Sequence, residues 1–335
     1  MLKYPQYDLI IGASGQDGHY LAQQLLNKGH DLIYLDKSKT WSSTNNKISH
    51  ISILDRAAIS DLFKSVSINH IYYLAAIHHG GNEQIADSNA IRQDSLDVHV
   101  HGLENVLCSM AQLAPNSRLF YAASSHLFAG HLTTQTTDTI QVSEKLTIAP
   151  EGIYAETKAL GVELCSVKRK QGIHCSSGFL FNHESARRSP RFLVGRLLNA
   201  LFEILENKDS LQKIPIQSLE QKVDWGFAPD YTRAMQLIVE QDEPEDYVIG
   251  TGKLHSVSYL INTLFNFAGL KWEHHIQETN ELGKSLPGGA LYANSEKLSL
   301  KTGWQPSCDF DNMIRTILCD ASIERGSPIQ LPCSE

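Results

Sequence analysis

Residues 8–26, DLIIGASGQDGHYLAQQLL, constrain this chain more than any other stretch. An apolar run enters a glycine-spaced turn, and the turn opens directly into an amphipathic run. A strand that passes through such a turn into a helix starts a βα unit. Repeated βα units close with right-handed crossovers into a parallel sheet. Gly12, Gly15 and Gly18 give the spacing G-x-x-G-x-x-G. Glycines permit the tight turn and a close backbone approach, and the helix N-terminus offers N–H groups and a positive dipole end to a pyrophosphate. Asp36 ends the second strand, 24 residues after Gly12. A carboxylate there accepts from ribose hydroxyls and repels a 2′-phosphate, which favours NAD; Lys37 and Lys39 keep NADP open.

The alternation continues. Strands are expected at Asp8–Ile11, Asp31–Leu35, Ile51–Ile53, His70–Ala75, 119–122 and His174–Phe181. Helices are expected at Gly18–Lys28, Arg56–Val66, Ser95–Leu113 and Tyr154–Gln171. NHESARRSP after Phe181 reads as a loop, Arg191–Leu205 as an apolar-faced helix, and 246–252 as one more strand. About Val257 to Cys319 carries two or three helices with little sheet signal. The expected fold is α/β, a Rossmann-type doubly wound parallel sheet with a smaller, mostly helical C-terminal substrate lobe. The dinucleotide domain takes 1–181 with a returning segment near 224–255, and the lobe takes 182–223 and 256–335.

Composition excludes several classes. A net charge of −8 gives no basic footprint for nucleic acid. The apolar runs are too short for a membrane span. The chain runs straight from MLKYPQY into a strand, and its six cysteines show no metal spacing or small-scaffold disulfide pattern. A reduced, cytoplasmic protein without a metal is expected.

Two further stretches carry chemistry. AASSHLFAG (122–130) puts Ser124, Ser125 and His126 at the carboxyl end of a buried strand, where open α/β sheets bind ligands. IYAETKAL (153–160) puts Tyr154 and Lys158 four apart on one helix face. A phenol has a reference pKa of about 10, and a neighbouring ammonium favours its phenolate. By itself the pair also fits an ordinary surface helix. Ser124 is positioned to hydrogen-bond the same substrate oxygen as Tyr154.

In the order and spacing of the glycine turn, Ser124 and the Tyr154/Lys158 pair, the chain resembles the extended short-chain dehydrogenase/reductase family. GASGQDGHYLAQQLLNKGH, GFLFNHESARRSP (178–190), DWGFAPDY (224–231) and TGKLHSV (251–257) look like its GDP-mannose 4,6-dehydratase branch, within the NAD-dependent epimerase/dehydratases. The resemblance implies a nucleotide-sugar enzyme with a tightly held nicotinamide. Tyr154 then takes the O4 proton while C4 gives hydride to the cofactor; a base removes the C5 proton, water leaves from C6, and hydride returns there. It implies cofactor contacts at Gln16, Asp17, Ile53, Leu74, Ala75, Ala76 and His183, besides the glycines, Asp36, Tyr154 and Lys158. It implies substrate contacts at Ser125, Asn182, Arg187, Arg188 and Arg196, and a homodimer or homotetramer through the helices at 95–113 and 154–171.

The chain also departs from that branch. The family's glutamate, two residues after the catalytic hydroxyl, is His126 here. An imidazole, with a reference pKa of about 6.5, is able to take the C5 proton and pass it to the leaving hydroxyl. Alternatively, loss of the carboxylate stops elimination and leaves an epimerase or 4-oxidoreductase. A catalytically silent dinucleotide-binding regulator is the third reading. Asp36-Lys37-Ser38 replaces the branch's arginines, Ser52 its acid near adenine, and Val223 the basic residue before DWG. KSLPGGALYAN (284–294) stands in place of its guanosine-holding segment. His78 and His79, followed by Gly80-Gly81, are a further candidate pocket wall or a plain polar loop.

Overall fold

The computed structural model describes residues 6–36, 47–49, 51–77, 88–132, 138–206, 213–279 and 289–326. The first half runs β1 (Gln6–Ile11), α1 (Gln16–Asn27), β2 (Asp31–Leu35), β3 (Lys47–Ser49), α2 (Arg56–Ser65) and β4 (Ser67–Tyr73). A long helical rod follows: α3 (Ser88–Leu96), a π-turn at Asp97–His101, and α4 (Gly102–Leu113). Then come β5 (Arg118–Ala122), a 3₁₀ turn at Ser125–His131, β6 (Thr139–Val142), α5 (Ile153–Lys170), β7 (Cys175–Leu180) and β8 (Asn182–Glu184). The second half holds α6 (Leu193–Glu206), β9 (Ile214–Ile216), β10 (Lys222–Phe227), α7 (Ala228–Val239), β11 (Asp246–Ile249), β12 (Leu254–Ser256) and α8 (Val257–Phe267). It ends with β13 (Ile276–Glu278), β14 (Ala290–Ala293), α9 (Glu296–Thr302) and α10 (Phe310–Arg325).

Seven parallel strands form the central sheet in the order β11-β7-β5-β4-β1-β2-β3. Helices cover both faces, so the inner strands read as continuous apolar runs: Leu9, Ile10 and Ile11 are buried, and so is every residue of β7. The chain leaves β1 toward β2 on one side and returns to β4 on the other. That reversal opens a crevice at the carboxyl ends of β1 and β4, the place where such sheets bind ligands.

The third strand falls at Lys47–Ser49, earlier than the Ile51–Ile53 expected from apolarity. Ser52 and Asp55 end the extended run instead. The Asp55 N–H donates to the Ser52 carbonyl, and the Asp55 carboxylate caps α2 at the Ala58 N–H, 3.0 Å away. The fourth strand stops at Tyr73, two residues short of the expected end. The loop expected at 182–190 begins as β8, because residues 182–184 pair with Trp225–Phe227 of β10. β10 therefore joins β8 and β12, away from the central sheet, and only β11 of the returning segment completes that sheet. The C-terminal third also contributes β13, paired with β9, and β14, paired with β6. These strands are three or four residues long, too short for periodicity to reveal.

The apolar interior falls into two clusters. One lies around the central sheet; the other joins α6, α8 and α10 to Trp225, Ile214 and Ile276. Ala293, Leu298 and Trp304 pack in the first cluster, although the sequence grouping puts residues 256–335 in the substrate lobe.

Candidate active site

The glycine turn closes over the β4 end. The Gly12 N–H donates to Leu35 O and the Leu74 N–H to Ile11 O, both at 2.9 Å. Gly12 sits at φ +91°, and a methyl there would collide with the Ala75 backbone. Gly15 begins α1, and among the described residues no side chain caps that helix start. Backbone donors, close approach and an uncapped dipole end together fit the diphosphate of a dinucleotide. Asp36 leans toward this loop, its carboxylate accepting from the Ser14 N–H at 2.7 Å. Ile53 packs against the rod at Gly102, where Asn105 donates to its carbonyl. Leu74 and Ala75 are half-buried and Ala76 is exposed. Lys37, Ser38, Lys39, His78, His79 and Gly80-Gly81 lie outside the described residues.

Across the crevice the expected catalytic groups converge. Ser124, buried at the end of β5, caps the 3₁₀ turn by accepting from the His126 N–H at 3.2 Å. Ser125 is buried beside it. Tyr154, on the first turn of α5, is half-buried, and burial pushes its phenol up to about 12, with a hydrogen bond to Ser124 pulling the other way. One turn on, Lys158 is buried; Nζ donates to Ala122 O at 2.7 Å and lies 4.9 Å from the centre of the Tyr121 ring. Desolvation lowers its pKa to about 7. The His126 ring meets the Tyr154 ring edge to face, 5.9 Å between centroids. It is exposed to the cleft, yet enough protein surrounds it that desolvation lowers its pKa below the usual imidazole value.

Sequence reasoning did not find His99. It is fully buried in the π-turn, with its ring edge to face with Tyr154 at 5.5 Å on an interplanar angle of 86°. A π-turn inserts one residue into a helix and has no composition signature; such turns concentrate at functional sites.

The GQDG and FNHES motifs meet each other. His183 donates through Nδ1 to Phe181 O at 2.7 Å and through Nε2 to Asp17 at 3.0 Å. Burial opposes both charges, but each stabilises the other: Asp17 ends below the usual carboxylate value and His183 above the usual imidazole value. Gln16 donates to His183 O at 3.1 Å and accepts from the Ser185 hydroxyl at 2.7 Å. These side chains fasten the start of α1 to β8.

The three arginines behave differently. Arg187 is exposed and pairs with Glu324 of α10 at 3.1 Å. Arg188 pairs with buried Glu184 at 3.2 Å and lies over the Phe192 ring. Arg196 is half-buried on α6; its Nε is buried without a hydrogen-bond partner among the described residues. Asn182 lies opposite Trp225 in the β8–β10 pairing.

A glycine turn at the sheet's reversal point, a tyrosine and lysine one helical turn apart, and a strand-end serine beside that tyrosine define an extended short-chain dehydrogenase/reductase. Within that class the chain belongs to the GDP-mannose 4,6 dehydratase family, whose profile matches residues 9–317. GDP-mannose 4,6 dehydratase 1 of Arabidopsis thaliana is 27% identical over 339 residues, covering 94% of this chain and 89% of that protein. Two solved structures share the fold. The dTDP-glucose 4,6-dehydratase of Bacillus anthracis in complex with NAD superposes with a TM-score of 0.79 at 15% identity, covering 96% of this chain and 98% of that one. The UDP-glucose 4-epimerase of Thermotoga maritima with UDP-glucose gives 0.78 at 17% identity, covering 95% and 99%.

Proposed function

We propose that this chain is a nucleotide-sugar 4,6-dehydratase acting on GDP-mannose or a related sugar nucleotide. The observation that carries the reading is the Tyr154 phenol, one turn from Lys158, with Ser124 close enough to lower its pKa and the His126 ring facing it edge to face. The cofactor is NAD, with NADP the alternative; Asp36 beside the glycine turn supports NAD. Gly12, Gly15, Gly18 and the first turn of α1 hold its diphosphate, and Leu74, Ala75 and Ile53 line the crevice beside it. The bound nicotinamide supplies a hydride acceptor for C4 and a donor to C6.

The chain's residues move the protons. Ser124 and Tyr154 bind the sugar O4, and Tyr154, as phenolate, takes its proton. The Lys158 ammonium stabilises that phenolate. The resulting C4 ketone acidifies C5–H, and His126 takes that proton. His126 then gives it to the C6 hydroxyl, which leaves as water while the C5–C6 double bond forms. A proton re-enters at C5 to balance the one lost from O4. Asn182 contacts the substrate, and Arg196, half-buried on α6, meets its diphosphate. Asp17, Gln16, His183 and Arg188 keep the cofactor turn and the substrate strand in register.

The larger core cluster serves the cofactor and the smaller one the substrate. No described helix is long and apolar enough to cross a membrane. Five free thiols among the described residues suit a reducing cytoplasm. Two copies pair through α4 and α5, which expose Leu113, Leu160 and Val167.

The test is incubation with NAD or NADP and a nucleotide-sugar panel led by GDP-mannose, followed by product masses. Loss of one water supports dehydration. His126 in place of a carboxylate favours the second reading, an epimerase or 4-oxidoreductase; a new stereoisomer of unchanged mass, or a change of two hydrogens, would establish it.

A further inference from the structure

We infer that His99 is a positioning residue for Tyr154: held by directed hydrogen bonds in the π-turn, its ring fixes the angle of the phenol against Ser124. The inference rests on the catalytic role proposed for Tyr154.

The bonds order themselves. The backbone N–H of Ile77, just beyond the β4 end, donates to His99 Nε2 at 3.1 Å. Nε2 is therefore the unprotonated nitrogen, and Nδ1 carries the hydrogen. Nδ1 donates to Thr157 Oγ1 at 2.8 Å, and Thr157 donates onward to Ile153 O at 2.8 Å, with Tyr154 O at 3.2 Å. The imidazole has one tautomer and one orientation. Thr157, which anchors it, lies between Tyr154 and Lys158 on α5.

The π-turn itself is tied to the sheet. Such a turn leaves helix carbonyls without their usual partners. The Tyr73 hydroxyl at the end of β4 donates to Val98 O, and the Tyr121 hydroxyl near the end of β5 to His99 O at 3.4 Å. Gly161 of α5 leaves room for this: a methyl there would collide with the Tyr121 hydroxyl. Two central strands thus hold the turn, the turn holds His99, and His99 holds the Tyr154 ring. An edge-to-face ring pair adds a directional attraction beyond area burial. Misplacement of a reacting group by about 1 Å is able to cost roughly 100-fold in rate, so a modest restraint on the phenol has kinetic weight.

The experiment has two arms on the full chain. In ¹⁵N-histidine NMR at pH 7.5, the resonance lost in His99→Asn should show the Nδ1–H tautomer; an Nε2–H tautomer or an imidazolium overturns the assignment. In steady-state kinetics, His99→Asn and Thr157→Val should each lower kcat about tenfold, with KM and bound nicotinamide within about twofold of wild type. Thr157→Ser, which keeps the hydroxyl, should restore kcat to within about twofold. Unchanged kcat in His99→Asn and Thr157→Val, or a loss in Thr157→Ser as large as in Thr157→Val, overturns it. A wild-type chain inert on nucleotide sugars sinks the proposed function instead; the tautomer then decides for or against the fixed ring by itself.

Discussion

Two irregular helical turns flank Tyr154, and each presents a histidine ring edge to face with it. The 3₁₀ turn after β5 carries His126, 5.9 Å from the phenol ring; the π-turn in the long rod carries His99, at 5.5 Å. Residue type, geometry and distance are nearly the same. Surroundings separate them. His126 is exposed, on a turn capped by Ser124. His99 is sealed, and a backbone N–H and a threonine hydroxyl occupy its two nitrogens. One imidazole is open to its surroundings, and the other is held through both nitrogens.

Removing the group both rings face should have the largest effect. Tyr154→Phe is expected to lower kcat about 10³-fold, roughly 4 kcal/mol of transition-state stabilisation, while the bound nicotinamide is retained. Single-turnover formation of reduced nicotinamide at 340 nm, a fixed absorbance, measures this; rapid reduction in the variant would exclude Tyr154 as the base at O4.

His126→Ala should come next, with dehydration about 100-fold slower. The base acts when neutral, so wild-type kcat falls as pH drops through the His126 pKa, which desolvation sets below 6.5. In His126→Gln, which has no titrating group, that acid limb should disappear. A kcat–pH profile identical in wild type and His126→Gln would remove His126 from the elimination.

His99→Asn should sharpen the contrast by lowering the kcat plateau about tenfold without moving the acid limb. A shifted limb would mean that the buried ring, too, takes part in proton transfer.

The smallest effect concerns stability. Folding lowers the Lys158 pKa from 10.5 to about 7. Between those values the unfolded chain binds a proton that the folded chain lacks, so this lysine makes stability rise with pH, and its destabilising effect is fully present below about 7. Lys158→Met should flatten the slope by about 1 kcal/mol per pH unit in that window. Urea unfolding of the cofactor-free protein at two pH values in it reads the change directly; equal slopes would show that the ammonium is stabilised by its surroundings.

Much of this was legible from local chemistry. The glycine turn, the end of β2, the β5 end and the Tyr154 helix were readable because each depends on neighbours in sequence: a buried apolar run, a turn residue, a four-residue spacing. β3 was misplaced because Ser52 and Asp55 build a turn that ends extended structure before Ile53. β8 was missed because a three-residue strand exists only through its pairing with β10. Arg187 and Arg188 looked alike in sequence, but Glu324 and Glu184, brought in by folding, engage them separately.

The sequence by itself determined that this chain winds a parallel sheet, offers a phosphate-binding turn, and carries a serine, tyrosine and lysine in workable order. Backbone conformational limits, hydrophobic periodicity and turn chemistry act over a few residues, so they leave local traces. The tertiary structure alone decided which histidine faces the cleft and which is locked. That choice depends on burial and on hydrogen-bond partners from the β4 end, β5 and α5, which lie far from the π-turn in sequence and meet it only once the sheet has formed.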